Sequence, residues 1–124
     1  MTRRRRSTWH RGRAGETAAA WWLRLKGYRI LARDWRSHVG EVDLVAKRGS
    51  TLVMVEVKAR PSLGEAAADI RPRQRERIAR AAEAFRQRSP ALAGCGVRFD
   101  AVLVVPWRRP RHVIDAWRLP AESA

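Results

Sequence analysis

Asp43, Glu56 and Lys58 have the types and spacing suited to phosphodiester chemistry. They lie in two apolar runs, Gly40-Glu41-Val42-Asp43-Leu44-Val45-Ala46-Lys47 and Thr51-Leu52-Val53-Met54-Val55-Glu56-Val57-Lys58, joined around Gly49. Each run alternates as a half-buried strand does, so the pair reads as a β-hairpin. Val42, Leu44 and Ala46 then share one face, and Val53, Val55 and Val57 share the matching face of the partner. Pairing these apolar sets restricts the register. If Lys47 faces Leu52 across a loop from Arg48 to Thr51, Leu44 opposes Val55, Val45 opposes Met54 and Asp43 opposes Glu56. A two-residue loop slides Asp43 beside Met54 and leaves Glu56 diagonal. Both registers bring two carboxylates close together on one face.

Opposed like charges destabilise a sheet unless a cation or a shared proton compensates. Oxygen-only ligands select a hard ion, Mg²⁺ or Mn²⁺, that keeps several waters. Asp43 and Glu56 are the expected ligands. Lys58 stands two residues beyond Glu56, about 6.6 Å along the same face. An ammonium there can orient a water, help deprotonate it, or balance charge on a phosphate. The competing reading is a solvated polar face in which Glu41, Asp43, Glu56 and Lys58 form ion pairs. Val45, Leu52 and Met54 make the surroundings partly apolar and count against it.

The elements that position this hairpin follow from periodicity. Residues 1–12 are basic and aperiodic and read as a flexible arm. Ala14 to Lys26 is predicted helical, with Ala14, Ala18, Trp22 and Leu25 as its apolar stripe and Gly27 as its stop. Trp21 and Trp22 are expected to pack this helix on a sheet. Tyr28 to Trp35 reads as a strand, Arg60 to Asp69 as a loop, and Pro72 to Gln87 as a second helix. Ile78, Ala82 and Phe85 mark the apolar stripe of that helix. Pro90 to Gly96 is a turn region, followed by strands over Val97–Val105 and His112–Trp117. The order predicts an α/β fold with a mixed central sheet flanked by helices. One domain spans 13–119, and 120–124 form a tail.

Lysine and arginine number 27 against 12 acidic residues, a formal net charge of +15. Such a field favours a polyanion. Arg60, directly after Lys58, is the expected phosphate contact beside the site. Arg71, Arg73, Arg75, Arg77 and Arg80 are the expected phosphate-contacting face of the second helix. Cys95 is the only cysteine, which excludes an internal disulfide and suits a reducing, cytoplasmic setting. No apolar run approaches a membrane span. The arginines at 3–6 precede no apolar stretch of the kind a secretory leader needs. His10, His38 and His112 have no metal-ligand spacing. Asp100 is expected to pair with an arginine. Trp9 or Trp35 could stack on a base, with packing as the competing role.

The string Gly40-Glu41-Val42-Asp43-Leu44-Val45, followed by Val55-Glu56-Val57-Lys58-Ala59-Arg60, resembles the YraN-like family of bacterial proteins. Gly15-Glu16, Gly27-Tyr28, Ile30-Leu31, Gly64 and Arg98-Phe99-Asp100 extend the resemblance over most of the chain. It implies the restriction-endonuclease-like fold of PD-(D/E)xK nucleases. It implies that Asp43 binds metal, that Glu56 and Lys58 are the acidic and basic members of the ExK motif, and that the Val57 carbonyl is a further ligand. It also implies that Glu16 lends an acid from the first helix. Gln74 stands where the family commonly has a lysine, and Asp34 where it often has asparagine.

The expected function is Mg²⁺-dependent cleavage of a nucleic acid, DNA foremost, read by structure or without sequence preference. No base-reading motif is visible, so a second copy or a protein partner could supply specificity. Two other readings stay open: a nucleic-acid-binding module with a non-catalytic site, and a protein held on RNA or ribosomes by charge.

Overall fold

The computed structural model describes residues 2–61 and 72–117, with side chains from Arg13 to Pro61 and from Arg75 to Trp117. Helix α1 runs Thr2–Leu25. It starts at Thr2 rather than Ala14, so the backbone of the basic segment read as an arm is helical. Arginine is a good helix former, and no proline interrupts this stretch. Gly27, with φ 96°, ends the helix. The Tyr28 N–H donates to the Leu23 carbonyl and the Gly27 N–H to the Arg24 carbonyl, both at 3.0 Å. This is the Schellman closure, and Leu23 and Tyr28 pack in one apolar cluster beside it.

The remaining elements are β1 (Arg29–Arg36), β2 (Glu41–Arg48), β3 (Thr51–Ala59), α2 (Pro72–Arg86), a short α3 (Pro90–Ala93), β4 (Gly96–Val104) and β5 (Arg111–Val113). The last strand is shorter than expected because the chain turns at Ile114 and Asp115, where φ is 56° at Asp115. The five strands lie in sequence order across the sheet. Only β3 and β4 are parallel, and α2 lies in the connection between them. The fold is therefore α/β with a mixed sheet between helices, as expected. Among the described residues, no helix is long and apolar enough to cross a membrane.

Each face of the sheet has its own core. Ala19, Ala20 and Leu23 of α1 cover Leu44, Ala46, Val53, Val55 and Val102. Ile78, Ala81, Ala82 and Phe85 of α2 cover Val45, Leu52, Met54 and Phe99. The α2 stripe matches the expected one. The α1 stripe does not. Gly15, Ala19 and Leu23 face the sheet, while Trp21 is 60% and Leu25 77% exposed. Small residues let this helix approach closely: a Cβ added at Gly15 would stand 3.0 Å from the Ala59 Cβ. A tryptophan in that row would hold the helix off the sheet.

The hairpin has the first of the two registers. Lys47 pairs Leu52 and Leu44 pairs Val55. Arg48 also pairs Thr51, which leaves only Gly49 and Ser50 in the turn, with Gly49 at φ 61°. Alternation breaks further along, however. Val42 packs in the α2 cluster, whereas Leu44 and Ala46 pack in the α1 cluster. The neighbouring strand breaks at the same level. Arg33 donates to the Thr17 hydroxyl of α1, whereas Trp35, two residues on, meets Phe85 of α2 edge-to-face. Asp34 lies between them with φ 48°. A left-handed residue reverses which side the next side chains take, and aspartate and asparagine are the non-glycine residues that best tolerate it. This accounts for the polar residue at that position.

Gly40 sits where β2 begins under α2. An added Cβ would overlap the Arg77 carbonyl oxygen and come within 3.1 Å of the Ala81 nitrogen. Both are backbone atoms of a packed helix, so neither can turn aside. Gly40→Ala is expected to lower unfolding free energy by about 1–3 kcal/mol, the usual cost of overpacking. Chemical denaturation measures it, and an unchanged midpoint would count against this packing.

Candidate functional site

The face switch at Asp34 and Val42 brings Asp43 to the place where β2 and β3 part. The paired register ends at Leu44 and Val55. Beyond it, the Val57 N–H donates to Asp43 Oδ2 at 2.8 Å. A side-chain oxygen thus takes a β3 donor that a strand carbonyl would otherwise satisfy. Glu56 and Lys58 flank that amide and are both nearly buried. Lys58 Nζ is 3.7 Å from Glu56 Oε1.

Glu56 titrates well above the ordinary carboxylate range. Burial is the largest cause, followed by a hydrogen bond and charge repulsion from Asp43; Lys58 opposes these and does not overcome them. Burial and the neighbouring Asp43 thus favour the protonated form of Glu56. The expectation that Asp43 and Glu56 meet is met, though through the parting of two strands rather than on one continuous face. Glu16 joins from α1. It is pushed up to about 7, chiefly by burial and then by Asp43 and Asp34, against the pull of Arg33 and Arg13. The seating of neighbouring Gly15 against Val57 and Ala59 places Glu16 here.

Among the described residues, no three His, Cys, Asp or Glu side chains form a group that could hold a metal. The site offers the carboxylates of Asp43 and Glu56. That set suits an ion such as Mg²⁺ or Mn²⁺, which takes one or two carboxylates and keeps its waters. It is too sparse for a closed structural zinc site.

The arginines divide. Arg77 donates to Glu41 Oε1 at 2.8 Å, so Glu41 is an arginine partner. Arg75 lies over the Trp117 ring at 5.7 Å. Arg60 donates through its guanidinium to the Ala59 carbonyl at 2.8 Å and through its backbone to the Val104 carbonyl at 3.0 Å. Arg80 is exposed. Arg71 and the side chains of Arg73 and Gln74 lie outside the described residues, as do the Gly64 loop and the 120–124 tail. Trp35 packs on Phe85 at 5.3 Å, which is the packing role.

A second polar cluster lies on the α1 face of the sheet. Asp100 is fully buried and accepts from Arg98 Nε and Nη2, both at 2.8 Å, and from the Asp115 N–H at 2.9 Å. His112 Nε2 lies 2.6 Å from Asp100 Oδ2, the oxygen that also accepts from Arg98 Nη2. Arg98 also donates to the Tyr28 hydroxyl at 2.7 Å, and Lys26 Nζ is 2.6 Å from His112 Nδ1. The arginine partner of Asp100 was expected. His112, Lys26 and Tyr28 were not, because they arrive from β5 and from the end of α1. The only sequence signal for His112 was its place in an alternating strand.

The fold and site together define a small α/β domain with an acid pair and a lysine at the end of a central strand. The family model for the uncharacterised protein family UPF0102 matches residues 15–104. The chain belongs to that family, the one the motifs resemble. A UPF0102 protein of Paramagnetospirillum magneticum is 58% identical over 113 residues, 88% of each chain. One from Maricaulis maris is 50% identical over 124 residues, all of this chain and 97% of that one. One from Methylobacterium nodulans is 51% identical over 117 residues, 94% and 91% of the two chains.

Two stability effects of opposite sign follow. Burial pushes the Asp100 carboxyl up, but His112, Arg98 and the Asp115 amide outweigh burial and hold it at about 2, below the ordinary 3.8. The group is depressed on folding, so its stabilisation is present above about pH 4 and is lost as pH falls toward 2. It amounts to about 2 kcal/mol, and Asp100→Asn should flatten that part of an acid denaturation curve. Glu56 is raised on folding. Its contribution is lost as pH rises above the ordinary glutamate range, so it weakens the metal-free protein at pH 8. Glu56→Gln, which cannot ionise, should raise metal-free stability at pH 8 by on the order of 2 kcal/mol, with little change at pH 5. Denaturation in EDTA at both pH values checks this, and a loss at pH 8 would contradict it.

Proposed function

We propose that this protein is a metal-dependent nuclease that hydrolyses phosphodiester bonds in DNA, with Asp43, Glu56 and Lys58 at its centre. The convergence of Asp43, bonded to the Val57 N–H, with Glu56 and Lys58 on either side of that amide carries the reading. A structural carboxylate in this fold, Asp100, is surrounded by donors. Among the described residues, Glu56 has the Asp43 carboxylate as a neighbour and one ammonium, Lys58 Nζ, at 3.7 Å. A nearly buried acid beside a second carboxylate is a setting that a cation can relieve.

Asp43, Glu56 and the Val57 carbonyl would hold Mg²⁺ or Mn²⁺. When bound, such an ion neutralises charge on a phosphate and makes water a better nucleophile. The Lys58 ammonium can donate to a water or to a phosphate oxygen and stabilise charge that develops there. Glu16, at about 7, can give or take a proton near neutral pH. Gln74 would support the site from the start of α2, and Arg60, Arg71, Arg73, Arg75 and Arg77 would hold the backbone. A net charge of +15 draws the polyanion in. The resemblance to restriction-endonuclease-like enzymes supports the same chemistry. The setting would be the cytoplasm, and a second copy or a partner protein would supply specificity.

The test is cleavage of labelled duplex, single-stranded, flapped and four-way-junction DNA, and matching RNAs, with Mg²⁺ or Mn²⁺. Wild type should cleave at least one DNA. Lys58→Ala and Asp43→Asn should each lose about 100-fold or more of that rate. Equal cleavage by all three proteins would mean the activity lies elsewhere. Salt-sensitive binding with no cleavage would leave a binding module.

A further inference from the structure

The turn between β4 and β5 carries a residue that neither packing nor backbone geometry selects. The Arg108 N–H donates to the Val105 carbonyl at 3.4 Å, closing a β-turn over Val105-Pro106-Trp107-Arg108. Proline stands second, and Trp107 stands third with φ 64°. That is the type II pattern, whose third position wants glycine or asparagine. A bulky side chain there is strained. Burial gives nothing back, since Trp107 is 101% exposed. Arg108, Arg109 and Arg111 beside it are also exposed, and no acidic residue occurs from Val105 to Val113.

The turn also lies at the right end of the sheet. In the parallel β3–β4 pair, Lys58 is level with Leu103 and Ala59 with Val104. The Arg60 N–H is bonded to the Val104 carbonyl. Both strands therefore leave the sheet together, and Trp107 follows Val104 by at most about 11 Å of chain. A strand with its phosphate at Glu56 and Lys58 would pass this turn.

We propose that Trp107 is a base-stacking platform: its indole packs on an unpaired base of a bound nucleic acid while Arg108, Arg109 and Arg111 hold the adjoining phosphates. This deepens the nuclease reading and rests on it for the class of ligand. It narrows the substrate to DNA with an unpaired segment. An indole accepts any base on its π-face, so the platform reads structure rather than sequence.

The experiment is fluorescence anisotropy in EDTA with two labelled DNAs, a blunt 20-base-pair duplex and the same duplex with a three-nucleotide gap. It compares wild type, Trp107→Gly and Trp107→Phe. Glycine suits the turn, so Trp107→Gly should melt no lower than wild type. It should bind gapped DNA about tenfold more weakly, the strength of one base–aromatic stack, and duplex less than twofold more weakly. Its salt slope should match wild type, because an indole neutralises no phosphate. Trp107→Phe should restore most of the gap affinity. Unchanged gap binding by Trp107→Gly, an equal loss on both DNAs, or no rescue by phenylalanine would each overturn the platform. A gap effect in a protein that cleaves nothing would sink the nuclease reading and leave the platform standing.

Discussion

Asp43 gives one carboxylate oxygen to the Val57 N–H, and the geometry of the site depends on that bond. It forms because β2 pairs with β3 only from Leu44 onward and a donor on β3 must still be satisfied. The bond holds Asp43 against the strand that carries Glu56 and Lys58. The parting is prepared one strand away, where the left-handed Asp34 turns the end of β1 from the α1 side toward α2. Gly40 then lets β2 start hard against the backbone of α2. Backbone at three places thus sets one carboxylate.

Two buried carboxylates in this sheet have opposite fates, and the reason is the number of donors around them. Asp100 has an arginine, a histidine and a backbone amide directed at it, and it is held ionised far into acid. Removing a partner from such a cluster is costly because the charge stays buried. The cluster ties α1, β4 and the return through β5 together, so it is structural. Among the described residues, Glu56 has the reverse setting: burial, a neighbouring carboxylate and one ammonium. The fold accepts that cost at the end of the central strand. Strongly perturbed acids gather where chemistry is done.

The pairing of the hairpin was legible because two apolar sets can match in few ways, and Lys47 does pair Leu52. The α2 stripe of Ile78, Ala82 and Phe85 was legible because its polar faces are arginine. The α1 stripe was read one position out. Hydrophobicity favoured Trp22 and Leu25, while close packing on Val57 and Ala59 favoured Gly15 and Ala19. The start of β2 was misread because strict alternation has no term for a left-handed residue in the neighbouring strand. Asp100 with Arg98 followed from spacing two apart on one strand. His112 and Lys26 depend on long-range closure, which local pattern does not encode. Glu16 came from family resemblance alone; burial, and then Asp43, raise its carboxyl.

The central claim is that Asp43 and Glu56 hold a divalent cation. Calorimetric titration of Mn²⁺ into the wild-type chain and into Asp43→Asn tests it most directly. Saturable binding by wild type that the variant loses is the expected result. Absence of saturable binding, or equal binding by both, would contradict it.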